Sequence, residues 1–109
     1  MTRDEILAME PGRELDALVA EKVMGLTTGP DSYFDCAYEA DDALHFSTDI
    51  AAAWEVESTM NESKLRRVLY TNRLRDVILH EKGTCSDFDL IHATPAQRCK
   101  AALLAVMEG

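Results

Sequence analysis

Leu65-Arg66-Arg67-Val68-Leu69-Tyr70-Thr71-Asn72-Arg73-Leu74-Arg75-Asp76-Val77-Ile78-Leu79 is the stretch on which the fold class turns. Its two halves, 65–71 and 74–79, mix leucine with the β-branched and aromatic residues Val68, Tyr70, Thr71, Val77 and Ile78, and Asn72-Arg73 between them suits a turn. Read so, they are two antiparallel strands. Leu65, Val68 and Leu69 also fall at helical spacing, which leaves one continuous helix as the competing reading. The strand reading is preferred. Beyond it, Glu81-Lys82-Gly83-Thr84 reads as a second turn, and Phe88, Leu90 and His92 alternate with Asp87, Asp89 and Ile91 as a third strand.

Helical signals flank this region on both sides. Thr2-x-x-Glu5 has the form of a capping box and opens a short turn through Ile6, Leu7 and Met9. Pro11 then suits the first position of a helix in which Leu15, Leu18, Val19 and Val23 share one face and Gly25 is the terminator. Residues 26–46 read as a loop, with Thr27-Thr28-Gly29-Pro30-Asp31 as turn chemistry and short strand pieces at Tyr33, Phe34 and 44–46. Ser47-Thr48-Asp49 caps an alanine-rich helix over 50–60. Its apolar positions are Ile50, Ala53, Trp54 and Val56, with Trp54 expected as a core anchor. Thr94-Pro95-Ala96-Gln97 is a helix start, followed by the apolar stripe Cys99, Ala102, Leu103 and Val106. The order helix, loop, helix, strands, helix predicts an α+β domain spanning 1–109. Its antiparallel sheet of about three to four strands would be flanked by helices.

Charge is distributed unevenly over this framework. Eleven basic and 20 acidic residues leave a net charge of −9 over 109 residues, 47% of them apolar. Residues 23–63 carry Asp31, Asp35, Glu39, Asp41, Asp42, Asp49, Glu55, Glu57 and Glu62 without one lysine or arginine, whereas 64–82 carry six basic residues against two acidic ones. Such a chain is repelled by phosphate backbones and anionic lipid, which argues against direct nucleic-acid or membrane binding. It is drawn to basic surfaces instead. Cys36, Cys85 and Cys99 are an odd set with no paired spacing and fit a reducing compartment. Met1-Thr2-Arg3-Asp4-Glu5 lacks the apolar stretch of a signal peptide, and the apolar run 101–107 is too short to span a bilayer. The expected site of action is the cytosol.

Three segments together resemble a known family. They are the run from Met9-Glu10-Pro11-Gly12-Arg13-Glu14-Leu15 to Gly25, the pair Tyr33-Phe34-Asp35-Cys36 and Ser47-Thr48-Asp49-Ile50 with the helix after it, and Cys99-Lys100-Ala101-Ala102-Leu103-Leu104-Ala105-Val106. The chain is similar to the phage ABA-sandwich domain. That resemblance implies a sheet between helix layers and a phage or prophage origin; it transfers no catalytic residues. Residues 37–46 replace what is a short link in relatives, and 64–92 match poorly, so a specialised interaction would be placed there.

Several constellations compete as sites. Asp31, Asp35, Glu39, Asp41, Asp42, Glu55, Glu57 and Glu62 could imitate a run of phosphates; the plain alternative is a solvated surface. Glu39, Asp41 and Asp42 lack the spacing and central glycine of a calcium loop. His45, His80 and His92 with Cys36, Cys85 and Cys99 contain no Cys-x-x-Cys or His-x-x-x-His pair to seed zinc. No nucleophile–base motif stands out, so neither catalysis nor a cofactor is expected. Arg66, Arg67, Arg73 and Arg75, with Tyr70 to stack a base, could hold a nucleotide or else pair with the chain's own acids.

The expectation is therefore a non-enzymatic, anti-CRISPR-type inhibitor in the host cytoplasm. It would cover the basic, nucleic-acid-binding surface of a defence protein. A sponge for a nucleotide immune signal, with pockets formed in a homo-oligomer, and a structural phage accessory are the alternatives.

Overall fold

The 64–82 stretch is a single helix. The computed structural model describes residues 2–25 and 45–108, and every regular element among them is helical. In chain order these are α1 (Arg3–Ala8), α2 (Arg13–Leu18, prolonged by a π-helical turn, Val19–Val23), α3 (Ile50–Thr59, followed by the 3-10 turn Met60–Glu62), α4 (Lys64–Lys82), α5 (Asp87–Ile91) and α6 (Pro95–Glu108). The α+β sheet is thus overturned among the described residues, in which no strand occurs. The strand pieces expected at Tyr33, Phe34 and Leu44 lie outside them, while Phe46 sits in a turn.

Three physical facts decide α4. Its buried positions are Tyr70, Leu74, Val77 and Ile78, at i, i+4, i+7 and i+8, so one side of a helix buries all four where a strand would split them between two faces. The ends are capped: the Ser63 hydroxyl accepts from Arg66 N–H at 3.1 Å, and Gly83, at φ 82, donates its N–H to the Leu79 carbonyl at 2.8 Å. Only glycine takes that left-handed turn without cost. Between the caps there is neither Gly nor Pro, and Lys, Leu and Arg favour the helix enough to outweigh the β-branched residues. Asn72-Arg73, read as a turn, lies in mid-helix.

The third strand is likewise replaced, by α5. Ser86 Oγ accepts from Asp89 N–H (3.2 Å) while Asp89 Oδ2 accepts from Ser86 N–H (3.0 Å), a reciprocal capping box that winds 87–91 into a turn of helix. Lys82 reinforces it with a 2.6 Å ion pair to Asp89.

Helix α6 is the hub. It packs against α1, α2 with its π-helical turn, α3 and α4. Burial consequently runs round it: Cys99, Ala101, Ala102, Leu103, Leu104 and Ala105 are all within 1% of full burial, and Gln97, Arg98 and Lys100 are buried too. Small residues on several faces let neighbouring helices approach closely, which a single apolar stripe would not provide. Its start is the expected box: Thr94 Oγ1 accepts from Gln97 N–H at 3.1 Å and Gln97 Oε1 from Thr94 N–H at 2.8 Å.

The remaining starts are partly as expected. Thr2 accepts from Glu5 N–H, and Asp49 accepts from Ala51 N–H to cap α3. Pro11 does not open α2; Gly12, at φ 144, precedes Arg13 instead. The entry to α3 is stitched to α2 by Ser47, whose N–H donates to Asp16 Oδ1 at 2.7 Å and whose Oγ accepts from Gly12 N–H at 2.8 Å. Within α3 the core takes Ala53 and Val56, and Met60 follows in the next turn. Trp54, expected in the core, is 55% exposed, and Ile50 is 39% exposed. The alanine-rich sequence supplies too little bulk to reveal which side of this helix faces inward.

Candidate functional site

The surface with most unspent chemistry is the hairpin of α3, its 3-10 turn and α4. Ile50 and Trp54 stand one helical turn apart on α3 and are both exposed. Glu55 and Glu62 are exposed as well and form no ion pair among the described residues. An accessible tryptophan amid carboxylates, with no base in 23–63, joins an apolar anchor to an acidic rim.

Glu57 behaves differently from its neighbours. Its Oε1 accepts from Arg98 Nη1 at 2.6 Å and from the Tyr70 hydroxyl at 2.8 Å. Arg98 is fully engaged, since Nε donates to the Ala93 carbonyl (3.1 Å) and Nη2 to the Ile91 carbonyl (2.9 Å). Burial first, and then the neighbouring Glu57 carboxylate, push the Tyr70 phenol up from its ordinary range. This network ties α3, α4 and the end of α5 to α6, and takes Glu57 out of any acidic bait. Asp31, Asp35, Glu39, Asp41 and Asp42 lie outside the described residues.

The four arginines of the alternative site are spread round α4. Arg73 pairs with Asp76 at 3.2 Å, where Arg3 also binds at 2.9 Å. Arg66 and Arg75 form no ion pair with the described acids. Only Arg67 lines an open cleft of about 420 Å³, with Glu57, Ser58, Met60, Asn61, Tyr70 and Thr71. There its Nη1 donates to Asn61 Oδ1 at 2.9 Å. Tyr70 is buried with its hydroxyl committed, so it is a poor stacking platform.

A second cleft, about 630 Å³, borders α1, α4 and α6 and includes His80, Glu81 and Lys100. Lys100 is buried; its Nζ donates to the Leu7 carbonyl (3.1 Å) and to Glu81 Oε2 (3.4 Å), while Glu81 Oε1 accepts from Gln97 Nε2 (3.1 Å). These bonds make Lys100 a clamp between helices.

The described histidines and cysteines are not gathered. No group of three or more His, Cys, Asp or Glu among the described residues could hold a metal ion. His92 stacks on Phe88 with ring centroids 4.1 Å apart. Cys99 is fully buried, its Sγ donating to the Phe46 carbonyl at 3.1 Å, and burial, aided by Asp16, pushes its thiol up to about 12. A neutral, shielded thiol is a poor nucleophile. Iodoacetamide at pH 8 should therefore modify half-buried Cys85 but leave Cys99 intact until denaturant is added, as read by peptide mass spectrometry. Native labelling of Cys99 at the rate of Cys85 would contradict this packing.

Sequence reasoning missed Arg98 and the exposure of Trp54. Arg98 stands between Gln97 and Lys100 in the polar first turns of its helix, so nothing local marks it as buried, and its partner Glu57 is remote in the chain.

Fold and surface of the described residues together define a small helical domain in which an acidic helix is joined by a 3-10 turn to a basic one. Residues 17–103 match the phage ABA sandwich domain, and the chain belongs to that family. No curated protein and no solved structure matches it. Among the described residues, helices alone represent the sandwich of the family's name. No helix among them is long and apolar enough to cross a membrane.

Proposed function

We propose that this phage-family protein acts without catalysis in the host cytoplasm. It docks the acidic, tryptophan-bearing face of α3 on the basic, nucleic-acid-binding surface of a defence protein, a CRISPR effector by charge and context. The observation that carries this reading is Trp54, exposed on a helix within forty-one residues, 23–63, that contain no lysine or arginine. Carboxylates steer the approach to a positive groove and compete with phosphate for its Lys and Arg, while the indole supplies the desolvated anchor.

The test is displacement of labelled DNA or RNA from a panel of CRISPR effectors. Wild type should compete, and less so as salt rises. Trp54→Ala should weaken competition about 30-fold, the equivalent of roughly 2 kcal/mol at an interface anchor. Asp41→Lys/Asp42→Lys and Glu55→Lys/Glu62→Lys should each abolish it. Variants that compete as well as wild type would rule the mechanism out.

The Arg67 cleft favours a second reading, capture of a nucleotide signal. A nucleotide-dependent rise in melting temperature, lost in Arg67→Ala, would support it over the first.

A further inference from the structure

The hairpin is complementary to itself. From 49 to 62 it carries Asp49, Glu55 and Glu62 and no base, with Glu57 already neutralised by Arg98; from 64 to 82, six bases and two acids leave a formal +4. Each half also exposes apolar groups. On α3 these are Ile50 and Trp54; on α4 they are Leu65 (68% exposed), Val68 (49%) and Leu79 (45%). Leu65, Val68, Asn72, Arg75 and Leu79 follow one another at the 3-4-3-4 spacing of a helix–helix seam, on the side of α4 opposite Tyr70, Leu74, Val77 and Ile78. Helix α4 is thus apolar on two sides, and among the described residues only its inner side is covered, by α6 and the rest of the core.

The two outer faces belong to one surface. The cleft lined by Ser58, Asn61, Arg67 and Thr71 adjoins a second, of about 390 Å³, lined by Lys64, Arg67, Val68, Thr71 and Asn72. Arg67 and Thr71 are common to both, so the surface runs without a break from α3 to the seam of α4.

Charge selects the occupant. Pairing α4 with α4 of another copy would press Lys64, Arg67 and Arg75 against the same basic set, which is repulsive. An apolar helix flanked by carboxylates is what this seam accepts, and α3 has that composition. Within one chain α3 cannot lie on the outer side of α4, because both are held by α6 from within. In a second copy it can.

We propose that two copies of this chain close a two-fold dimer in which α3 of each lies against the outer face of α4 of the other. A two-fold axis repeats the same acidic-on-basic contact twice and leaves no open end. The contact buries Trp54 and Ile50 against Leu65 and Val68, and brings Glu55 and Glu62 to the Lys64 and Arg75 side chains.

The dimer covers the face that the proposed inhibition offers to a host protein, so the second copy and the host surface compete for it and only the dissociated chain can dock on the host. Sedimentation velocity on the full chain tests the dimer without any host protein, so it is decided independently of the proposed inhibition. Wild type should show a concentration-dependent shift to the mass of two chains, weakened by salt. Glu55→Lys/Glu62→Lys alone should be monomeric, since it sets base against base, and Lys64→Glu/Arg75→Glu alone should be monomeric, acid against acid. All four side chains are exposed. Mixed one to one, the two variants should regain the dimer, because each α3 then meets an α4 of opposite sign. A wild type with the mass of one chain at every concentration would overturn the proposal. So would a dimer that persists in either variant alone, or a mixture that stays monomeric.

Discussion

Arg98→Ala is expected to destabilise the fold by about 2–4 kcal/mol: removing one partner of a fully buried ion pair costs about 3–5 kcal/mol, and the Glu57 side chain, 36% exposed, recovers part of that from water. The mutation strips Glu57 of its cation and leaves the Ala93 and Ile91 carbonyls without the donors that now reach them. It also creates a void against the hub helix. A loss of that size is a large share of the 5–15 kcal/mol typical of a domain. Urea denaturation should show a lower midpoint with an unchanged slope. Arg98→Lys retains charge but cannot make the three-way fork, so it should fall between alanine and wild type. Tyr70→Phe, which removes only the hydroxyl donor to Glu57, should cost about 1 kcal/mol. If Arg98→Ala unfolded at the wild-type midpoint, the buried network would not be holding α3 to α6.

The second large effect is a contrast between neighbours. Ile78→Ala should cost about 2–5 kcal/mol, because Ile78 is fully buried and its loss leaves a cavity. Leu79→Ala should change stability by no more than about 0.5 kcal/mol, since Leu79 is 45% exposed and alanine is the better helix former. Measured at concentrations where the chain is monomeric, the comparison extends to Leu74, which is buried, and Leu65, which is not. A helix buries 70, 74, 77 and 78 together, whereas a strand through the same residues would set 74 and 78 on one face and 77 on the other. Equal costs at 78 and 79, measured as shifts in the urea midpoint, would contradict the helix.

Much of the local structure was legible because its causes are local. Thr94 and Gln97 close a capping box with each other, Asp49 caps its own helix, and Gly83 takes the left-handed turn that follows Lys82. Ser86-x-x-Asp89 carried the same kind of signal for α5, but the alternation of Phe88, Leu90 and His92 masked it. Phe88 is 67% exposed, so that alternation never marked an inward face. Of the acidic residues picked out from sequence, Glu55 and Glu62 remain available to a partner, while Glu57 is committed to Arg98 and Tyr70. Nothing in the immediate neighbourhood of Glu57 in the chain distinguishes it from Glu55.

By itself, then, the sequence determined the helix starts at Asp49 and Thr94, the turn at Gly83, the family, and the separation of acidic from basic segments. Each depends only on which residues occur and in what order. Tertiary structure alone decided that Trp54 faces solvent and that Glu57 is spent on Arg98; over 64–82 the caps and propensities admit a helix, and the common burial of Tyr70, Leu74, Val77 and Ile78 selects it over strands. Those outcomes depend on which side of α3 and α4 the hub helix α6 covers, and that choice is made by packing between residues far apart in the chain.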